Sequence, residues 1–66
     1  MKVSVNGRAM NLDDDLSVEA LLQQLGVNRR FMAVAVNREI TPRTRYGQTV
    51  LREGDRVEIV RPMGGG

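Results

Sequence analysis

The chain has 66 residues, a net charge of +2, 41% hydrophobic and 27% charged residues, which describes one small globular domain. It has no cysteine and no histidine, which excludes disulfides, thiolate metal sites, thiol nucleophiles and the commonest general base. A chain this short buries roughly 60% of the surface its unfolded form exposes, so its stability is about 3–10 kcal/mol and a deep active-site cleft is not expected.

The first stretch, MKVSVNGRAMNL, reads as a β-hairpin. Asn6-Gly7 is the pair preferred in a two-residue type I′ turn, where both positions take positive φ. That turn sets Val5 opposite Arg8, Val3 opposite Met10 and Met1 opposite Leu12. Alternation then puts Met1, Val3, Val5, Met10 and Leu12 on one face, and Lys2, Ser4, Ala9 and Asn11 on the other. The opening reads as a strand rather than a leader, and no apolar run approaches the ~20 residues of a membrane span. The expectation is a cytoplasmic protein with no membrane partner.

DDDLSVEALLQQLGV predicts a helix with both ends marked. Ser17 is the N-cap, and Leu16 before it can staple to Leu21. Val18, Leu21, Leu22 and Leu25 form one apolar stripe. Gly26 suits the left-handed position after the helix, with Val27 closing a Schellman contact to Leu22. Asp13, Asp14 and Asp15 precede the helix, where negative charge suits its dipole. No further acid lies nearby in sequence to supply the six or more oxygens a hard cation takes, so they read as a solvated loop and no metal site is assigned.

RFMAVAVNRE predicts the next strand, with Met32, Val34 and Val36 alternating with Ala33 and Ala35. Asn37-Arg38-Glu39 turns the chain, Ile40 returns to the core and Pro42 ends regular pairing. TPRTRYGQTVL reads as a connector with a 3₁₀ turn, and Val50-Leu51 as a short edge strand. Glu53-Gly54-Asp55 turns the chain into a last strand, where Val57 and Ile59 alternate with Glu58 and Val60. Phe31 and Tyr46 read as core or core-edge residues. The order is β, β, α, β, short β, β. It fits an α+β fold, a mixed sheet of four to five strands packed on one main helix, and suggests the β-grasp. The domain expected is 1–61, followed by a flexible glycine tail, 62–66.

Nine of the ten basic residues are arginines, and they are scattered along the chain. With only two aromatics, Phe31 and Tyr46, there is no basic face interleaved with stacking platforms, which argues against nucleic-acid binding. The sequence closes on RPMGGG. Pro62 ends the last strand, and the four residues after it reach at most about 13 Å when extended. Such a side-chain-free tail fits a narrow channel in another protein and would carry the Gly66 carboxylate to a distant reactive centre. An ionised carboxylate is a poor electrophile and has to be activated. Adenylation by ATP makes it a mixed anhydride, and a sulfur donor can then displace AMP to leave a thiocarboxylate. A protein used in this way needs no catalytic residue of its own. Ala33, Ala35 and Val60 lie out of phase with the helix-facing positions. With Met63 beside them, they make a weakly apolar docking patch on the open sheet face.

The VNG hairpin, the LSVEALLQQLG helix, VAVNREITPR, LREGDRVEIV and the closing GG together resemble the small sulfur carriers of thiamin biosynthesis, ubiquitin-like β-grasp proteins. The resemblance spans nearly the whole chain. It implies adenylation of Gly66 by a ubiquitin-activating-like adenylyltransferase that uses ATP, with no cofactor bound to the carrier. It implies sulfur loading from a cysteine desulfurase or rhodanese-type donor, and delivery to thiazole synthase. Gly65 and Gly66 match the two glycines usual in the family, and Gly64 extends them as part of the threading tail. Carriers for molybdopterin or another thio-metabolite share these features, as does ubiquitin-like protein modification. A β-grasp RNA- or protein-interaction module with an incidental tail is the alternative from a different class.

Overall fold

A computed structural model describes residues 1–61. Five strands and one helix follow in the order β1 (Lys2–Val5), β2 (Arg8–Asn11), α1 (Val18–Leu25), β3 (Ala33–Val36), β4 (Glu39–Thr41) and β5 (Arg56–Val60). The strands form one mixed sheet in the order β2-β1-β5-β3-β4, the β-grasp architecture expected from the sequence. The last strand therefore lies in the middle of the sheet. β5 runs parallel to β1 and antiparallel to β3.

Local chemistry explains most of these elements. Asn6 and Gly7 take φ values of 50° and 83°, and the hairpin they close pairs Val5 with Arg8 and Val3 with Met10, as the turn type requires. The Ser17 side chain accepts from the Ala20 N–H at 3.0 Å and caps α1. Gly26 adopts φ 71° at the other end. Its N–H donates to Gln23 O at 3.1 Å, and the Val27 N–H to Leu22 O at 3.1 Å, which is the two-bond Schellman closure.

Val18, Leu21 and Leu22 of the helix pack with Val3, Val5, Val34, Val57 and Ile59 of the sheet and with Leu12, which follows β2. Tyr46 and Leu51, from the long connection between β4 and β5, complete the core. The Tyr46 hydroxyl donates to Met32 O at 3.3 Å, so a polar group enters the core with a partner. Arg29 lies over the Tyr46 ring at 5.5 Å from its centroid, pairs with Glu19 and donates to Arg43 O at 3.0 Å. One side chain thus ties the helix to two 3₁₀ turns, Arg29–Phe31 and Arg43–Arg45.

Several expectations are corrected. The third strand starts at Ala33, not at Arg30, because the Asn28 side chain accepts from the Arg30 N–H and folds Arg29–Phe31 into a 3₁₀ turn. Phe31, in that turn, is 57% exposed rather than core-edge. The short edge strand is Glu39–Thr41, while Val50 makes only an isolated bridge to Ser17. Asn37 and Arg38 both have positive φ, 52° and 71°, so the turn takes two residues and Glu39 already pairs with Val36. Ile40 is then opposite Ala35 on the face away from the helix, and is 72% exposed instead of core. Leu25, the last helical residue, lies at the rim of the core and is 38% exposed.

The apolar stripe of α1 is therefore three residues deep. Leu21→Ala is expected to cost about 2–5 kcal/mol, and Leu25→Ala about 1 kcal/mol or less. Urea unfolding of the two variants checks this; equal losses would contradict the packing described.

Candidate functional site

The two faces of the sheet differ in kind. The helix covers one, and the other is open. Strand parity places Ala33 and Ala35 of β3, Ile40 of β4 and Val60 of β5 together on the open face. Ala33 is opposite Val60, and Ala35 lies between Ile40 and Glu58. The alanines are half-buried, and Val60 is 56% exposed. The structure thus brings Ala33, Ala35 and Val60 together and adds Ile40. Sequence reasoning missed Ile40 because the turn before it was read as three residues; a two-residue turn reverses its parity. Met63, Gly64, Gly65 and Gly66, the other residues singled out in the sequence, lie outside the described residues, as does the boundary drawn between the domain and its tail.

The patch ends where the last strand ends. On one side, Val60 pairs with Ala33. On the other, β1 has already turned away at Asn6, yet β5 is still held. The Asn6 Oδ1 accepts from the Ile59 N–H at 2.7 Å, and its Nδ2 donates to Ile59 O at 3.1 Å. Arg61 follows, exposed to solvent.

The rest of the domain offers little for catalysis. Among the described residues no Asp, Glu, Lys or Arg is buried, and no group of three or more acids is arranged to hold a metal ion. Asp13, Asp14 and Asp15 are exposed. Among these residues, too, no helix is long and apolar enough to cross a membrane.

A β-grasp domain with a bare, weakly apolar sheet face, whose sequence runs on from the central strand into a glycine-rich segment, defines the class of small β-grasp proteins. The ThiS family model matches residues 3–66, and the chain belongs to that family. The crystal structure of the thiamine biosynthesis protein ThiS from Geobacter metallireducens is similar with a TM-score of 0.88 and 35% identity, and 100% of each chain is covered. The sulfur carrier protein ThiS of Escherichia coli is 30% identical over 66 residues, again covering 100% of both chains. A thiazole synthase of Paramagnetospirillum magneticum is 46% identical over all 66 residues. The chain spans 20% of the length of the thiazole synthases it matches.

Ile40 and Val60 contribute surface rather than core. Ile40→Thr and Val60→Thr, which keep a β-branched side chain, are expected to change stability by about 0.5 kcal/mol or less. Val34→Thr, at a position with 0% exposure, is expected to cost about 1–3 kcal/mol through its buried hydroxyl. Denaturant titration separates the two cases, and a large loss at Ile40 would contradict its placement.

Proposed function

We propose that the chain carries sulfur for thiazole formation on the carboxylate of Gly66. Membership of the ThiS family supplies the coarser part: a sulfur carrier of thiamine biosynthesis, not an enzyme. The observation that carries the finer part is the composition of the molecule. It has no cysteine or histidine, and its described domain buries no charged side chain, while its sequence runs from the central strand directly into Pro62-Met63-Gly64-Gly65-Gly66. The reacting group is then the acid at residue 66, and the chemistry comes from partners.

The steps balance simply. In a ubiquitin-activating-like adenylyltransferase, a Gly66 carboxylate oxygen attacks the α-phosphorus of ATP, and the bond to pyrophosphate breaks. The acyl adenylate holds AMP as its leaving group. A persulfide from a cysteine desulfurase or rhodanese-type donor attacks the acyl carbon and AMP departs. A thiol then cleaves the acyl disulfide, leaving a thiocarboxylate on the carrier and a disulfide between thiol and donor. The thiocarboxylate sulfur adds to an electrophilic C=O or C=N carbon of the thiazole synthase substrate, whose heteroatom takes the electron pair and a proton. Cleavage of the Gly66 acyl–sulfur bond with addition of water then leaves the sulfur on the product and returns the Gly66 carboxylate. Glycines suit this path because a channel narrow enough to exclude water has no room for side chains at Gly64, Gly65 and Gly66.

Two observations support the partners. A thiazole synthase contains a stretch similar to this whole chain, which favours thiazole synthase over a molybdopterin enzyme as the acceptor. The open face around Ala33, Ala35, Ile40 and Val60 presents an apolar surface contiguous with the end of β5, and with Met63 it serves as the docking surface for the adenylyltransferase. Neither ATP nor any other cofactor resides on the carrier in this scheme.

Deletion of Gly65-Gly66 tests the reading. With an adenylyltransferase from the same cells, the full chain is expected to support exchange of labelled pyrophosphate into ATP. The shortened chain is expected to support none, with an unchanged circular dichroism spectrum. Equal exchange by both chains would overturn the proposal in favour of an interaction module with an incidental tail.

A further inference from the structure

β5 outlasts its parallel partner. The β1 pairing covers Ser4 with Arg56 and Val5 with Val57, and the Asn6 N–H adds one bond to Val57 O at 2.9 Å. Asn6 and Gly7 then turn the chain into β2, so no backbone of β1 reaches Ile59. The Ile59 N–H and C=O point to that vacated side, and the Asn6 carboxamide meets both. A carboxamide carries the donor and acceptor of a peptide unit, so Asn6 supplies the missing rung of the ladder. Asn37 holds the other end of the strand through one backbone and one side-chain partner. Its Oδ1 accepts from the Arg56 N–H at 3.0 Å and its Nδ2 donates to Asp55 Oδ1 at 3.0 Å. Each αL asparagine opens a hairpin turn, and each clamps β5.

The two clamps differ in what lies beyond them. Asn37 holds the start of the strand. Asn6 holds Ile59, two residues before Arg61, where the sequence leaves the sheet. We propose that Asn6 is a positioning residue for the reacting carboxylate: its paired hydrogen bonds to Ile59 hold Val60 and Arg61, the last described residues, from which the sequence runs on to Gly66. This rests on the reading that Gly66 is adenylated. With the domain docked through its open face, the position of Arg61 sets where the chain to the carboxylate begins. Five residues reach at most about 17 Å, so each ångström the root drifts away from the reactive centre is lost from that reach. An in-line attack tolerates a misplacement of only about 1 Å before the rate falls steeply. Loosening the root lowers the fraction of docked complexes that react, without weakening docking.

Steady-state pyrophosphate exchange with three variants tests this. Asn6→Gly removes the carboxamide but keeps a residue at ease with positive φ. It is expected to lower kcat about tenfold, with the KM for the carrier changed less than about twofold. Asn37→Gly removes the matching clamp at the far end and is expected to leave both constants within about twofold, although it loses comparable stability. Insertion of one glycine after Arg61 loosens the root with both clamps intact and is expected to lower kcat as well, which covers the case of Asn6→Gly failing to fold. An unchanged kcat in Asn6→Gly or in the insertion overturns the inference, as does an equal fall in Asn37→Gly. Exchange that is absent even with the wild-type chain overturns the function proposed above and this inference with it.

Discussion

The structure depends on the pairing of β5 with strands on both sides. Without it the sheet divides into the β1–β2 and β3–β4 hairpins, and two-stranded hairpins are marginal in water. β5 also carries Val57 and Ile59 into the core, where they meet Leu21 and Leu22 of the only α-helix among the described residues. The pairing joins residues far apart in sequence, Ser4 with Arg56 and Val34 with Ile59, so it closes long loops at an entropic cost. Both turns that flank it contribute side-chain bonds to its backbone, and these lengthen its attachment beyond what strands of four residues could provide.

A central last strand also sets where the glycine-rich segment begins. The strand that the whole sheet grips is the one from which the sequence runs on into the glycines, so Arg61, at the root of that segment, follows a strand paired on both sides. The helix seals one face of the sheet, leaving the face with Ala33, Ala35, Ile40 and Val60 free for contact beside that root. Core and open-face positions alternate along the same strands: Val34 and Val36 against Ala33 and Ala35, Val57 and Ile59 against Glu58 and Val60. Two-residue periodicity alone separates the core from the open face.

Much of this was legible in the sequence where a residue type has one physical use. Asn6-Gly7 fixed the hairpin register, Ser17 and Gly26 marked the two ends of the helix, and the alternation of β3 and β5 divided the sheet into faces. The misreadings fall where a tertiary choice overrode a local pattern. The Asn37-Arg38 turn has arginine where glycine is usual, so it was read as longer than it is, and Ile40 was assigned to the wrong face. Phe31 continued an apolar run, but the Asn28 cap drew it into a 3₁₀ turn. Val50 looked like a strand, yet by then every position beside β5 was taken. The amide clamps of Asn6 and Asn37 left no trace in the pattern, because the backbone groups they meet lie fifty-three and nineteen residues away.

The central claim is that the acid of residue 66 becomes the sulfur-bearing group. Intact mass spectrometry of protein taken from its own cells, before and after a thiol-directed alkylating reagent, addresses it most directly. With no cysteine in the chain, the reagent has no ordinary thiol to find, and it distinguishes sulfur gained at residue 66 from oxygen gained by any of the four methionines. The account predicts a fraction with one oxygen exchanged for sulfur that takes up one alkyl group, mapped to Gly66. A native chain that runs on uncleaved past residue 66, or one that takes up no alkyl group while its adenylating partner and sulfur donor are both active, would contradict it.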